Sequence, residues 1–156
     1  MPILLGGGQE KGLRSGTENV PAIAGFGVAA YIGYQHFAEH AERIIALRRE
    51  FEEKLAEKVP AAKINFEGGV PHIVSLCLPG CRSEVVLRIL ADADVCVSAG
   101  SACAKGKRSH VLVACGLPSD VIDCTVRISF STMNTSEDID ALIAGLAAAY
   151  ARFHRT

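Results

Sequence analysis

Neither sign of charge dominates this 156-residue chain: sixteen lysines and arginines stand against seventeen aspartates and glutamates, leaving a formal net charge of −1. Such a balance supplies no field that would gather phosphate backbones or acidic lipid, so neither nucleic acid nor a membrane is expected as a partner. Long apolar runs are also missing, and none approaches the length that spans a bilayer. The opening MPILLGGG has no basic flank and breaks at glycine after a few apolar residues, so it does not read as a secretory leader, and a cytoplasmic protein is expected. A second close cysteine pair is absent as well. Cys77 and Cys81 stand near each other, but no further pair completes a tetrahedral set, which argues against structural zinc. With nothing to mark secretion, the cysteines at 77, 81, 96, 103, 115 and 124 are expected to be mostly small, reduced core residues.

What remains is ordinary globular composition, 49% hydrophobic and 21% charged. That suits one domain with a real core and is short for a two-domain enzyme holding a large cofactor. Residues 1–19 carry Gly6, Gly7, Gly8, Gly12 and Gly16, which oppose regular structure and predict a glycine-rich loop or arm. Residues 20–156 then form the domain with its connecting helices. Asn19 as a cap and Pro21 in the first turn predict a helix over about 20–36, whose small residues in AIAGFGVAAYIG suit close packing against another surface. From Glu39 to Lys58, Ile44, Leu47, Phe51 and Leu55 recur at three- and four-residue steps, the pattern of a long amphipathic helix.

Four short apolar or β-branched segments, 63–66, 72–78, 95–98 and 125–130, are bounded by turn residues and read as strands. Helical patterns lie between them at 84–90, behind a Ser83 cap, and at 109–115. Near the C-terminus Thr135 or Ser136 precedes Glu137 and Asp138, and Ile139, Leu142, Ile143, Leu146 and Tyr150 form one stripe. The order suggests an α/β sandwich with helices on one face of a small sheet.

Chemistry concentrates in Ser98-Ala-Gly-Ser-Ala-Cys103-Ala-Lys105-Gly-Lys107-Arg108-Ser-His110, which links a strand to a short helix. A cysteine reacts as thiolate, and nearby Lys105, Lys107 and Arg108 would lower the pKa of Cys103. Read only as local chemistry, the same stretch is more readily a glycine-serine turn with solvated lysines, and His110 a polar residue at a helix start.

Three stretches decide between these readings: GGGQEKGLRSGTENVPAIAGFG at 6–27, SAGSACAKGKRSHVL at 98–112 and VRISFS at 126–131. In this order and spacing they resemble signature stretches of NifS/IscS-type cysteine desulfurases, members of aminotransferase class V, over the C-terminal portion only. The resemblance implies the C-terminal small domain of a fold-type I pyridoxal-phosphate enzyme: about four strands packed with helices, preceded by a long helical segment and an N-terminal arm. It implies conversion of L-cysteine to L-alanine with pyridoxal phosphate as electron sink, the sulfur being carried as a persulfide for iron–sulfur cluster or thio-cofactor synthesis.

Matched to the family's motifs, Cys103 corresponds to the persulfide cysteine. Arg127 corresponds to the arginine that grips the substrate carboxylate, and Thr17 to the threonine that contacts cofactor phosphate across a dimer. The implied partners are L-cysteine, a sulfur acceptor such as an iron–sulfur scaffold, and a second copy or a large domain. None of the six lysines (11, 54, 58, 63, 105 and 107) lies in the family's Ser-x-His-Lys-type setting, so the chain by itself is expected to be inactive. A noncatalytic sulfur-carrier or dimerisation module, and a selenocysteine lyase or aminotransferase-like relative, remain as alternatives.

Overall fold

Glycine shapes the N-terminal stretch. At Gly6, φ is +150° and a Cβ would lie 2.9 Å from that of Ser15, so only a residue without a side chain lets the two backbone segments come this close. Ile3 N–H donates to Leu13 O at 2.7 Å, Leu4 bridges Arg14 in parallel, and a 3-10 turn over Gln9–Gly12 closes the loop. The computed structural model describes residues 1–99 and 108–154, and these group into two units, Met1–Glu39 and His40–Thr156.

In the first unit α1 spans Val20–Gln35. The Asn19 side chain accepts from Ala22 N–H at 3.1 Å and Pro21 occupies the first turn, as the sequence predicts. Its apolar residues lie on all sides of the helix and are exposed; Phe26 and Tyr34 have 78% and 81% of their surface open.

The second unit is built on helix α2, Phe37–Lys58, whose Leu47, Phe51 and Leu55 recur every four residues and are buried. They meet a sheet of β1 (Lys63–Ile64), β2 (Ile73–Cys77) and β3 (Thr125–Ser129), antiparallel throughout in the order β1-β2-β3. Strand alternation sends Val74, Leu76, Val126, Ile128 and Phe130 into the core. Against them pack α3 (Ser83–Ala91) through Val86 and Leu90, and α6 (Ser136–Phe153) through Ile139, Leu142, Ile143, Leu146 and Ala149. At Gly145 of α6 a Cβ would stand 2.5 Å from Leu90 Cδ2, so the missing side chain is what lets α3 settle onto α6. Thr135 N–H donates to Asp138 Oδ2 at 3.1 Å, which places the acidic first turn of α6 on otherwise orphaned backbone donors.

The α/β class and the small sheet with helices agree with expectation, with four differences of detail. Among the described residues the 95–98 segment is no full strand: it joins β3 through the single bridge Ser98–Arg127. Ser83 is the first residue of α3 rather than its cap, a place held by Arg82 without a side-chain bond. A five-residue helix, α5 (Ser119–Asp123), follows α4 (His110–Ala114), where only the stop signals Gly116 and Pro118 were legible. Cys77 and Cys81 are buried as expected, but Cys124 is half-buried and Cys96 and Cys115 are exposed; all five are free thiols. No described helix is long and apolar enough to cross a membrane.

Candidate functional site

The face of the sheet turned away from the core carries the polar chemistry. Alternation along β3 puts Thr125, Arg127 and Ser129 there, with Arg127 and Ser129 exposed and Thr125 buried. Arg127 spends both backbone groups on Ser98: its N–H donates to Ser98 O at 2.5 Å and its carbonyl accepts from Ser98 N–H at 3.0 Å. On its other side Arg127 stands opposite Ser75 of β2. Since its backbone groups point to Ser98, this second pairing is of the non-hydrogen-bonded kind, in which side chains approach most closely.

One further strand along, Asn65 N–H donates to Ser75 O at 2.9 Å, so Asn65, Ser75, Arg127 and Ser98 form one row across the sheet. Asn65 Nδ2 donates to Ser75 Oγ at 2.9 Å and to Thr125 Oγ1 at 3.0 Å, and Thr125 Oγ1 donates to Val121 O at 2.7 Å. The Arg127 guanidinium makes no hydrogen bond or ion pair among the described residues. An exposed cation with five N–H donors and no acceptor is suited to a planar oxyanion.

Ser98 is the last residue but one before the stretch that carries Cys103, and Cys103 itself lies outside the described residues. On the far side of that stretch Arg108 forms a two-pronged pair with Asp123 of α5, Nε to Oδ1 and Nη2 to Oδ2, each at 2.7 Å. The same pairing holds the Asp123 carboxyl below its ordinary value and raises Arg108. The guanidinium fork of Arg108, one of the cations near Cys103 in sequence, pairs with Asp123. His110 is exposed in the first turn of α4, and the helix cap is Ser109, whose Oγ accepts from Leu112 N–H at 3.4 Å.

Thr17 belongs to the N-terminal unit and is exposed. The loop before it is held by Ser15 Oγ, which donates to Gly7 O at 2.8 Å, and by Arg14 Nη1, which donates to Gly16 O at 3.0 Å. Its hydroxyl has no partner among the described residues, a donor free for a phosphate oxygen. The buried thiols are chemically quiet. Burial, with the Cys124 and Cys77 thiols nearby, pushes Cys81 up to about 11, and burial also raises Cys77. Neither supplies thiolate at neutral pH. Among the described residues no three His, Cys, Asp or Glu side chains gather where they would hold a metal ion.

Residues 6–142 match the family model of aminotransferase class-V. The chain belongs to this family. Within the class-V aminotransferases it is 37% identical over 146 residues to a cysteine desulfurase of Gluconacetobacter diazotrophicus, covering 91% of this chain and 36% of that one. It is 40% identical over 146 residues to cysteine desulfurase IscS 1 of Archaeoglobus fulgidus, covering 91% and 38%. Among solved structures, a NifS-like protein from Rickettsia africae superposes with a TM-score of 0.82 at 36% identity, over 96% of this chain and 40% of the other. The chain therefore spans about two fifths of the length of the class-V relatives it matches.

The polar row was the part that sequence reasoning missed. Ser75 sits in IVSLC as the one hydroxyl in an apolar strand, a visible signal, but its place beside Arg127 depends on pairing with a strand more than fifty positions away.

Proposed function

We propose that this chain is the C-terminal part of a pyridoxal-phosphate-dependent cysteine desulfurase. In this reading Arg127 holds the carboxylate of L-cysteine, Cys103 takes its sulfur, and Thr17 donates to a cofactor phosphate oxygen. The observation that carries the reading is the Ser98–Arg127 pairing, which ties Ser98, ahead of the Cys103 stretch, to the strand position whose guanidinium has no partner among the described residues. Cys103 is five residues beyond Ser98, and five extended residues reach at most about 18 Å. The same number of residues separates it from Arg108, anchored on Asp123. Cys103 thus lies midway in sequence between two held residues, which supports its assignment as the sulfur-accepting thiol.

When bound, pyridoxal phosphate supplies the electron sink that lets the substrate carbon–sulfur bond break. This chain's residues do the rest of what is assigned to them. The Arg127 fork fixes the substrate by its carboxylate and so orients its sulfur. The Cys103 thiolate attacks that sulfur and forms a persulfide. The electron pair of the broken carbon–sulfur bond returns to the substrate carbon, which takes up a proton and leaves as L-alanine. The persulfide then passes its outer sulfur to an acceptor protein, such as an iron–sulfur scaffold. The lysine that anchors the cofactor would come from the remaining three fifths of the relatives' length, and α1, apolar on all sides, offers the surface that such a domain or a second copy covers.

The test supplies L-cysteine and pyridoxal phosphate to the chain with and without a lysine-bearing large domain, and assays alanine, sulfide and persulfide. Turnover is expected only when that domain is present, and loss of persulfide with Cys103→Ala. Alanine production by the chain alone would overturn the division of labour. Persulfide uptake from a separate desulfurase, without alanine production in either arm, would favour a sulfur-carrier module.

A further inference from the structure

The direction of the hydrogen bonds in the polar row is set from one end. Thr125 gives its only hydroxyl proton to Val121 O at 2.7 Å, so the Asn65 group facing Thr125 at 3.0 Å must be the donating amide nitrogen. The second hydrogen of that nitrogen goes to Ser75 Oγ at 2.9 Å. Ser75 Oγ is therefore an acceptor within the row, and its own proton is left over. No acceptor for it exists among the described residues. Directly across the ladder stands Arg127, on the same face and in the closer type of cross-strand pair, with Cβ atoms about 5 Å apart.

Two neighbouring groups thus each hold a donor, one of them charged, that lacks an acceptor among the described residues. We propose that Ser75 is a second ligand to the substrate carboxylate: its hydroxyl donates to one carboxylate oxygen while the Arg127 fork binds the group from the adjacent strand. The inference rests on the reading of Arg127 given above and extends it to a residue on β2. Asn65 is then a positioning residue, which holds the Ser75 hydroxyl with its proton turned outward. A carboxylate is preferred over an amide in its place, since only the carboxylate carries the charge that the Arg127 fork pairs with.

The experiment follows the Arg127 Nε–H and Ser75 amide resonances of the full 156-residue chain during titration with L-alanine, with L-alaninamide as control. The unsubstituted chain is expected to bind L-alanine and to ignore the amide. Ser75→Ala is expected to weaken L-alanine binding about tenfold, the usual effect of one lost hydrogen bond to a charged group. Ser75→Thr, which keeps the hydroxyl and suits a strand, is expected to bind within about twofold of the original. Equal weakening by Ala and Thr would reduce Ser75 to a packing role and overturn the proposal. Loss of binding in Arg127→Gln with unchanged binding in Ser75→Ala would overturn Ser75 alone and leave the Arg127 reading standing. Binding indifferent to Arg127→Gln would overturn both. Amide spectra of each variant establish that the sheet is intact.

Discussion

Ser98 and Arg127 exchange both of their backbone hydrogen bonds, and Arg127 thereby turns its closest side-chain approach toward Ser75 on the opposite side. One pairing therefore does two things: it ties Ser98, which precedes the Cys103 stretch, to β3, and it leaves Arg127 and Ser75 in the closer type of cross-strand pair. Four predictions follow from this arrangement and from the core behind it, each with its own measurement.

Ser98→Pro removes the N–H that bonds Arg127 O while leaving the core untouched. One such hydrogen bond contributes about 1 kcal/mol, which corresponds to a fall of about 2–4 °C in Tm for a chain of this size. Sulfur loading of Cys103 in the assembled enzyme is expected to fall far more than stability does. Loading that tracks the small stability change would separate the Ser98 pairing from the function.

Phe51 is fully buried in the core, with its ring centroid 5.6 Å from that of Phe130. Truncation to alanine is expected to cost about 3–5 kcal/mol, from lost transfer energy and the cavity left behind. Urea unfolding should show this as a lower midpoint with an unchanged slope. A change below about 1 kcal/mol would mean that α2 does not anchor the core.

Cys81, lifted from 9.0 to about 11 by its burial and its thiol neighbours, keeps its proton in the folded chain where the unfolded chain has lost it. Between pH 9.0 and about 11 the folded state holds the extra proton, so stability falls as pH rises through that window and is unaffected below it. The urea midpoint measured at pH 8 and pH 10.5 should drop more in the original chain than in Cys81→Ala. Thiol reagents at pH 8 should modify the exposed Cys96 and Cys115 and spare Cys77 and Cys81 while the fold is intact.

The Arg108–Asp123 fork gives the opposite pH dependence. Hydrogen bonding from Arg108 lowers the Asp123 carboxyl, so the pair is complete above the ordinary 3.8 and is lost only as pH falls through the depressed value. The Arg108 Nε–H resonance should hold its position down to pH 4 and move below that. Movement centred above 3.8 would show that the pair does not form in solution, and Asp123→Asn should abolish the transition.

Much of the scaffold was legible along the chain because helices and strands report their buried faces locally. Leu47, Phe51 and Leu55 announce one face of α2 by their spacing, and Ile139, Leu142, Ile143 and Leu146 do the same for α6. Alternation in β2 and β3 separates Val74, Leu76, Val126 and Ile128 from the polar face. The N-terminus of α1 was equally readable, since a cap is a contact between residues three apart. Thr17, Cys103 and Arg127 were different: residue chemistry alone left each with a bland alternative, and the family resemblance singled them out.

Tertiary structure decided everything that depends on which strand lies beside which. A strand's own sequence states which side chains share a face, but cross-strand neighbours are chosen by a register that involves segments far apart in the chain. That is why Ser75 came to stand beside Arg127, with Asn65 on its other side, without announcing it, and why the 95–98 segment joins β3 at Ser98 alone. The same physics pairs Arg108 with Asp123, fifteen residues away. The sequence by itself determined the faces of the elements; the pairing of the strands, which joins segments far apart in the chain, determined which side chains stand beside Arg127.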